Sequence, residues 1–200
     1  MSRQHTSFIL GYHGCSERTG EDVLAGRSIL KPSNEKYDWL GPGAYFWEAD
    51  PLRALEWAKE NIDRGRYGTP FVLGAIIDLG NCLDLMSREG LVLVRDAYLL
   101  MRKAHDSDSG LGPLPRNEPL KDGDGDNLLR YLDCATIKYL HLIMAERGEE
   151  PFDTVRGLFP EGGALYPGSG FKKKSHVQVA VRTPGNIKGY FRVSPSALKR

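Results

Sequence analysis

The chain has 200 residues, 40% of them apolar and 26% charged, which is typical of a globular protein with one hydrophobic core. Its formal net charge of +1 argues against a polybasic nucleic-acid coat protein and against an acidic tail protein. The charges are unevenly distributed. Residues 171–200 contain eight basic and no acidic side chains, which leaves residues 1–170 with a net charge of −7.

Two classes of protein are excluded by simple patterns. No segment approaches the roughly 20 apolar residues of a membrane-spanning helix, and the first residues lack the features of a secretory signal. We therefore expect a cytoplasmic protein without a membrane partner. Cys15, Cys82 and Cys134 are odd in number and far apart, which fits neither a disulfide framework nor a cysteine-rich metal site. We expect all three to be reduced and buried, and we expect no bound metal.

The first half of the chain alternates short strands and helices. In chain order, the sequence predicts a strand over residues 7–12, a helix over 18–25, an aromatic strand ending at Trp47, a helix opening at Asp50 and Pro51, and strands over 71–79 and 82–85. The first strand is expected to deliver His13 to its end. Gly41 and Gly43 flank a proline and allow a tight turn before the aromatic strand.

The second half begins with two helices and ends with strands. In chain order, the sequence predicts a helix over residues 90–104, a loop over 105–126, a helix over 127–147, and strands over 152–159, 176–182 and 187–193. The loop over 105–126 is long for a compact domain, so we expect it to be mobile or to act as a functional lid. A second, glycine-rich loop covers residues 160–175. No linker separates two cores, and we expect a single domain over residues 1–200.

Three local patterns are candidates for function. His13 and Gly14 follow the first strand, Tyr45 ends a Gly-x-Gly-x-Tyr pattern, and Gln178 is a polar residue within an apolar strand. Each pattern also has an ordinary structural interpretation: a strand ending in a turn, a hairpin-type turn, and the solvent face of an edge strand. Their joint occurrence in this order is hard to attribute to chance.

Together these motifs resemble those of the ADP-ribosyltransferase superfamily, in the diphtheria-toxin-like and poly-ADP-ribose-polymerase-like branch with its His-Tyr-Glu signature. The resemblance covers nearly the whole chain, and residues 182–191 (RTPGNIKGYF) are similar to the family's C-terminal ending. It implies an α/β (α+β) fold with a split central β-sheet, flanking helices and a cleft for NAD. NAD would be a substrate, and no metal would be needed.

The resemblance also implies a role for each motif. His13 would bond the adenine-side ribose of NAD, and the backbone of Gly14 would pair with the nicotinamide carboxamide. Tyr45 would stack on the nicotinamide ring, and Gly43 would bind NAD from the turn before it. Gln178 falls where the family usually has glutamate, and it would orient the reacting ribose. His13, Tyr45 and Gln178 are therefore the candidate catalytic residues.

The glutamine at position 178 is the main departure from the family pattern. A glutamate would place negative charge near the cation that develops on the ribose, whereas a glutamine only orients through its amide. Elongation to poly-ADP-ribose is therefore not expected. Glu161 and Asp153 could supply the missing carboxylate, or they could be a solvated loop charge and a strand-edge cap.

Basic residues suggest where phosphates would bind. Arg156 could pair with the NAD pyrophosphate, because a guanidinium matches phosphate geometry, or it could form an ion pair with Asp153 or Glu161. In this family the loop before the third motif faces the acceptor. Its three lysines (Lys172, Lys173 and Lys174) suggest an acidic or phosphate-bearing acceptor, including nucleic acid, or else a solvated charged loop.

Other candidates are weaker. Asp122, Asp124 and Asp126 mimic the start of a calcium loop, but the required glycine and glutamate are missing, so we predict an acidic loop that caps a helix at Asn127. Cys15 lacks an obvious partner for thiol catalysis. His176 lies two positions before Gln178, on the same face of its strand, and could contact the acceptor together with Glu161.

The resemblance and the residues together predict an NAD-dependent mono-ADP-ribosyltransferase that transfers ADP-ribose to a protein or nucleic acid. The small size fits a toxin or phage-defence effector with a neutralising antitoxin. Two alternatives stay open at this point: an NAD- or ADP-ribose-binding module without turnover, and an RNA 2′-phosphotransferase of the same superfamily.

Overall fold

The structure, a computed structural model, describes residues 8–65, 68–119 and 126–199. It contains seven strands and four α-helices in these residues. In chain order they are β1 Phe8–Ser16, α1 Glu17–Leu24, β2 Ala44–Glu48, α2 Pro51–Asp63, β3 Pro70–Asp78, β4 Cys82–Asp84, α3 Arg88–Ser107, α4 Tyr131–Glu146, β5 Thr154–Phe159, β6 His176–Val181 and β7 Ile187–Arg192. The predicted mixture of α and β structure is confirmed.

The strand β1 is longer than predicted. It continues through His13 and Gly14 to Ser16, because all nine of its residues pair in register with β3. His13 therefore lies within the strand and not after it. The helix α3 is also longer, because the hydroxyl of Ser87 accepts a hydrogen bond from the backbone N–H of Gly90 and caps the first turn.

All seven strands form one sheet in the order β4-β5-β6-β2-β1-β3-β7. Neighbouring strands are antiparallel except for β4 and β5, which are parallel. The pairing between β1 and β2 is very short: it joins only Gly11 to Glu48 and Tyr12 to Trp47. Beyond Tyr12 the two strands separate, and we call this place the β1–β2 split.

The core packs on both faces of the sheet. Successive residues of β2 point to opposite faces, so Phe46 contributes to the core beside α1, whereas Trp47 packs beside α2. Tyr45 packs on the same face as Trp47, against Ile137 of α4 and its neighbours. In β6, Val179 packs in the α1-side core and Ala180 in the α4-side core. Gln178 and His176 therefore share the face of Tyr45 and Trp47.

The helix α4 begins later than predicted, and its cap comes from a distant residue. It starts at Tyr131, and the side-chain oxygen of Asn117 accepts hydrogen bonds from the backbone N–H groups of Leu132 and Asp133. The prediction that Asn127 caps this helix is wrong, because residues 126–128 precede it without helical structure. Most of the calcium-like pattern lies outside the described residues.

The loop predicted over residues 105–126 is partly ordered into helix. α3 continues to Ser107, and a short 3-10 turn follows over Ser109–Leu111. Glu118 then pairs with Leu129 in an isolated bridge. The predicted mobility of this loop stays a prediction. None of the helices in the described ranges is both long and apolar enough to cross a membrane.

Candidate functional site

His13 bridges the β1–β2 split. Its Nδ1 lies 2.8 Å from the carbonyl oxygen of Tyr45, across the gap where strand pairing has ended. A carbonyl oxygen only accepts hydrogen bonds, so Nδ1 must carry the proton. Burial lowers the pKa of His13, although the bond to Tyr45 partly opposes that shift. The ring is therefore neutral at pH 7, and its Nε2 is a hydrogen-bond acceptor without a protein partner among the described residues.

The backbone of Gly14 points into the same split. The carbonyl oxygen of Leu10 accepts a hydrogen bond from the N–H of Ala49, so the backbone groups of Leu10 point towards β2. In a strand, the backbone groups of every second residue point to the same side, so those of Tyr12 and Gly14 also point towards β2. The N–H and C=O of Gly14 therefore face β2 where β2 no longer pairs with β1. They are a donor and an acceptor, side by side and next to His13, that β2 does not pair with.

Gly14 also allows β1 and α2 to approach closely. A Cβ at this position would lie 2.2 Å from the carbonyl oxygen of Ala54, which is backbone and cannot turn aside. The residue is therefore required for packing, whatever else its backbone binds. Glycine at position 14 has a structural reason as well as the functional one that the sequence suggests.

Tyr45 uses its hydroxyl to hold the turn before β2. The hydroxyl donates to the carbonyl oxygen of Gly41 at 2.8 Å and accepts from the N–H of Leu40 at 3.0 Å. Burial raises the pKa of this phenol well above its usual value, so it stays protonated. The aromatic ring is only partly buried, and its face is the part of this side chain that could contact a ligand.

Gln178 is held by Trp39, a residue that the sequence analysis did not single out. The indole N–H of Trp39 donates to Oε1 of Gln178 at 2.6 Å. An indole N–H only donates, so the amide oxygen must face Trp39 and the NH2 group must face away. That NH2 group is a donor without a protein partner among the described residues. Gln178 does not lie on an edge strand, because β6 runs between β5 and β2.

A buried polar cluster lies next to Gln178, at the start of β6. It consists of Trp47, Arg53, Glu161 and His176, whose side chains come from β2, α2, the loop after β5, and β6. Arg53 donates to both carboxylate oxygens of Glu161 at 2.9 Å, and His176 Nδ1 lies 3.7 Å from that carboxylate. The rings of Trp47 and His176 are 6.1 Å apart. Glu161 and His176 are predicted candidates, whereas no local sequence pattern points to Trp47 or Arg53.

Several nitrogen atoms of this cluster are buried without a hydrogen-bond partner. They are Nε1 of Trp47, Nε and Nη1 of Arg53, and Nε2 of His176. These three residues are only 5%, 6% and 5% exposed. Buried polar groups are normally paired, so such a concentration is unusual and indicates a place where polar partners are lacking within the folded chain.

The three lysines of the loop over residues 160–175 are not equivalent. Lys172 forms an ion pair with Asp126, and Lys174 lies 3.6 Å from a carboxylate oxygen of Glu60 in α2. Only Lys173 lacks an ion pair within the described part of the chain. Lys188 and Arg192, two further basic residues near the C-terminus, lie away from Gln178, because β7 is at the far edge of the sheet beyond β3.

Arg156 is engaged by carboxylates that the sequence analysis did not consider. It donates to Glu48 at 2.5 and 2.8 Å and to Asp84 at 3.1 Å. The hydrogen bonds to Glu48, together with the nearby charges, raise the pKa of Arg156. We therefore do not assign Arg156 to the pyrophosphate, and its predicted pairing with Asp153 or Glu161 is wrong.

Asp153 cannot replace the missing glutamate. Its neighbour Thr154 pairs with Val181, at the end of β6 opposite to His176. Its carboxylate accepts from the backbone N–H of Asn81, so it acts locally in the loop before β4. Glu161, in contrast, lies at the correct end of β6, but Arg53 already neutralises its charge.

Cys15 is not a reactive thiol. It is buried in the core beside α1, and burial raises its pKa to about 11, so it stays protonated. Cys134 is buried as well, whereas Cys82 is only partly buried. Within the described residues, no group of three or more His, Cys, Asp and Glu side chains could hold a metal ion.

A cavity of about 360 Å³ lies beside Trp39, between α3 and α4. Its lining includes Tyr98 and Arg130, but not His13, Gly14 or Tyr45. It therefore adjoins the Gln178 side of the site and not the β1–β2 split.

Searches against protein-family models, curated proteins and solved structures give no match to this chain.

Proposed function

We propose that this protein is an NAD-dependent mono-ADP-ribosyltransferase. One observation carries the proposal: His13, Tyr45 and Gln178, which are far apart in the sequence, lie on three strands that are neighbours in the sheet, β1, β2 and β6. These are the three motifs on which the resemblance to the ADP-ribosyltransferase superfamily rests. A chance set of motifs has no reason to meet at one place.

The shape of the sheet supports the same proposal. The resemblance implies a central sheet that is split, and here the pairing of β1 with β2 stops after two residue pairs while β1 and β3 pair over nine. At the split, β2 does not pair with the backbone groups of Gly14. His13 lies on one face of the sheet and Tyr45 on the other, and a ligand lying along the split could contact both.

The atoms at the split suit the two ends of NAD. Nε2 of His13 is an acceptor and would take a hydrogen bond from a hydroxyl of the adenine-side ribose. The adjacent N–H and C=O of Gly14 match a carboxamide, which also carries one acceptor and one donor group. The ring of Tyr45 would lie against the nicotinamide, since its hydroxyl is occupied in the turn.

Gln178 would donate its amide NH2 group to a hydroxyl of the nicotinamide-side ribose. During transfer the bond between C1′ and the nicotinamide nitrogen breaks, and the bonding electron pair leaves with nicotinamide, which becomes neutral. Positive charge develops on the ribose until the acceptor atom bonds to C1′ and releases its proton. A glutamine orients this ribose but does not stabilise the charge, so we propose single transfers and not chain elongation.

The structure gives little support to the alternative hypothesis of an RNA 2′-phosphotransferase. That chemistry requires basic side chains that grip a phosphate beside the NAD site. Arg156, Lys172 and Lys174 are all paired with carboxylates. A binding module without turnover is distinguished from the transferase by experiment.

The test is the release of nicotinamide from labelled NAD, with clarified cell extract as the source of acceptors. We expect wild-type protein to release nicotinamide and to transfer label to macromolecules. Tyr45→Ala should abolish both, because the stacking face is lost. Tyr45→Phe is the matched control: it removes only the hydroxyl, so NAD binding should persist while the turn before β2 loosens.

Calorimetry with NAD completes the test. If wild-type protein binds NAD but releases no nicotinamide, the protein is a binding module and the transferase proposal fails. If Tyr45→Ala binds NAD as tightly as wild type, the site does not lie at the β1–β2 split.

A further inference from the structure

The buried polar cluster contains a group that could act as a base. His176 lies on β6, two residues before Gln178 and on the same face, so their Cα atoms are roughly 7 Å apart. Its Nδ1 lies 2.7 Å from the carbonyl oxygen of Lys174, which only accepts, so Nδ1 carries the proton. In the neutral ring, Nε2 is therefore the basic nitrogen, and no group in the described part of the chain hydrogen-bonds to it.

The surroundings of His176 suit a ring that gains and loses a proton. The carboxylate of Glu161 lies on the Nδ1 side at 3.7 Å, where it would stabilise an imidazolium. Arg53 of α2 holds that carboxylate in place and lowers the pKa of His176, whereas Asp50, which caps α2, raises it. Burial is the main cause that lowers the pKa of His176, so the ring is neutral at pH 7.

The same cluster holds two further buried donors, and the rings of Trp47 and His176 lie 6.1 Å apart. The indole N–H of Trp47 comes from β2, the strand next to β6, and Nε–H of Arg53 comes from α2; neither N–H has a hydrogen-bond acceptor among residues 8–65, 68–119 and 126–199. Arg53 lies over the Trp47 ring, 5.8 Å from its centroid. A hydroxyl suits such a cluster, because it carries a proton to give to Nε2 of His176 and lone pairs that can accept from an N–H donor.

We propose that His176 is the general base for the acceptor in the transfer reaction, taking the role that Gln178 cannot take. This inference rests on the proposed function. In the step, Nε2 of His176 takes the proton of the acceptor group, the acceptor atom forms its bond to C1′ of the ribose, and nicotinamide leaves with the electrons of the broken C1′–N bond. The positive charge lost by the pyridinium appears on the imidazolium of His176. The imidazolium then releases its proton to solvent, which restores the neutral base.

Access to Nε2 requires the loop over residues 160–175 to move. Nε2 is buried, and ion pairs of Glu161 with Arg53 and of Lys174 with Glu60 hold this loop against α2. In the resembled family this loop faces the acceptor. Acceptor binding would therefore displace the loop from α2 and expose the base beside the reacting ribose.

The test uses three variants of His176. His176→Asn keeps a donor for the Lys174 carbonyl but has no basic nitrogen; we expect nicotinamide release to fall about 100-fold with NAD affinity unchanged. His176→Ala should lose activity similarly and recover at least about tenfold when imidazole is added. His176→Gln serves as a control for a polar, non-basic atom near Nε2, and it should stay inactive.

Two readouts separate a base from a structural residue. The rate should rise with pH through a pKa below 6.5 and then stay level, and Glu161→Gln should shift that limb to lower pH, because the Glu161 charge raises the pKa of His176. Nitrogen NMR at pH 7 should show Nδ1 protonated and Nε2 unprotonated.

The outcomes are distinct. If His176→Asn is as active as wild type while Tyr45→Ala is inactive, the base assignment is overturned and the transferase proposal survives. Loss of NAD binding in His176→Asn, no rescue of folded His176→Ala, or a charged ring at pH 7 also overturns it. If wild-type protein releases no nicotinamide, both proposals fail.

Discussion

The β1–β2 split and the buried polar cluster hold their polar groups in different ways. At the split, the side chains of His13 and Tyr45 bond to backbone atoms, and Gly14 offers backbone atoms itself. In the cluster, the side chains of Arg53 and Glu161 bond to each other although they are 108 residues apart in the sequence. The comparison teaches that the split is a local property of the strands, whereas the cluster exists only through long-range packing.

The largest effect on the free energy of unfolding is expected when one charge is removed from the buried polar cluster. Arg53→Met leaves the Glu161 carboxylate, 12% exposed, without its cation, and we expect a loss of about 3–5 kcal/mol in the free energy of unfolding. The double variant Arg53→Met/Glu161→Met should recover most of it, since both charges are then gone. Urea denaturation measures this. Equal losses in the single and double variants would mean that the pair is not the stabilising feature.

A surface pair is the control for that experiment. Arg192 and Glu21 form a close ion pair at 2.7 Å, but both side chains are exposed. Arg192→Met should leave the free energy of unfolding nearly unchanged, because solvent screens the pair. A large loss there would remove the contrast between buried and exposed charges.

The next largest effect is expected from a substitution at the β1–β2 split. Gly14→Ala places a methyl group against the carbonyl of Ala54, and forcing β1 and α2 apart should cost about 2–3 kcal/mol. NAD affinity should fall as well, because the Gly14 backbone shifts. Gly163→Ala is the matched control, since its Cβ would meet nothing within 4 Å. Thermal melting and calorimetry with NAD measure both effects, and a fully stable Gly14→Ala would contradict the close approach.

Acid provides a smaller test that affects both regions. Burial lowers the pKa of His13 and His176, and it lowers that of His141, outside both regions, to about 4. The unfolded chain takes up protons near pH 6.5, before these folded rings do, so stability should be lost as the pH falls from about 6.5 towards 4. Above pH 6.5 this contribution is constant.

The variant His141→Phe separates the contribution of His141 to the acid-induced loss of stability from the contributions of His13 and His176. It should remove on the order of 2 kcal/mol of the acid-induced loss, since one pKa unit corresponds to about 1.4 kcal/mol and partial exposure weakens the effect. The remaining loss then belongs to His13 and His176. Urea midpoints at pH 7 and pH 5 measure it, and identical midpoints in this variant would mean that neither ring is held neutral.

Much of the fold was predictable because it depends on local patterns. Alternation and helical spacing located the strands and helices, and Asp50 and Pro51 do open α2. Errors arose where distant residues decide. β1 is extended by its partner β3, and α4 begins where Asn117 caps it from another segment.

Candidate residues were predictable to the same extent. Short motifs around His13, Tyr45 and Gln178 are visible in the sequence, and the structure places them on neighbouring strands. Trp39, Trp47 and Arg53 have no such motif, since their partners are distant in the chain. The proposed importance of the three lysines lost its support because Asp126 and Glu60 pair with two of them.

The formal net charge of +1 also leaves open which charged side chains pair with one another. The sequence by itself determined the element order and the local motifs, because apolar spacing, caps and glycines act over a few residues. It also determined that basic residues concentrate near the C-terminus. Only the tertiary structure decided which charges meet: it placed Arg192 beside Glu21, Lys174 beside Glu60 and Arg53 beside Glu161. The physical reason is that Coulomb and hydrogen-bond interactions depend on distance in space and not on separation along the chain.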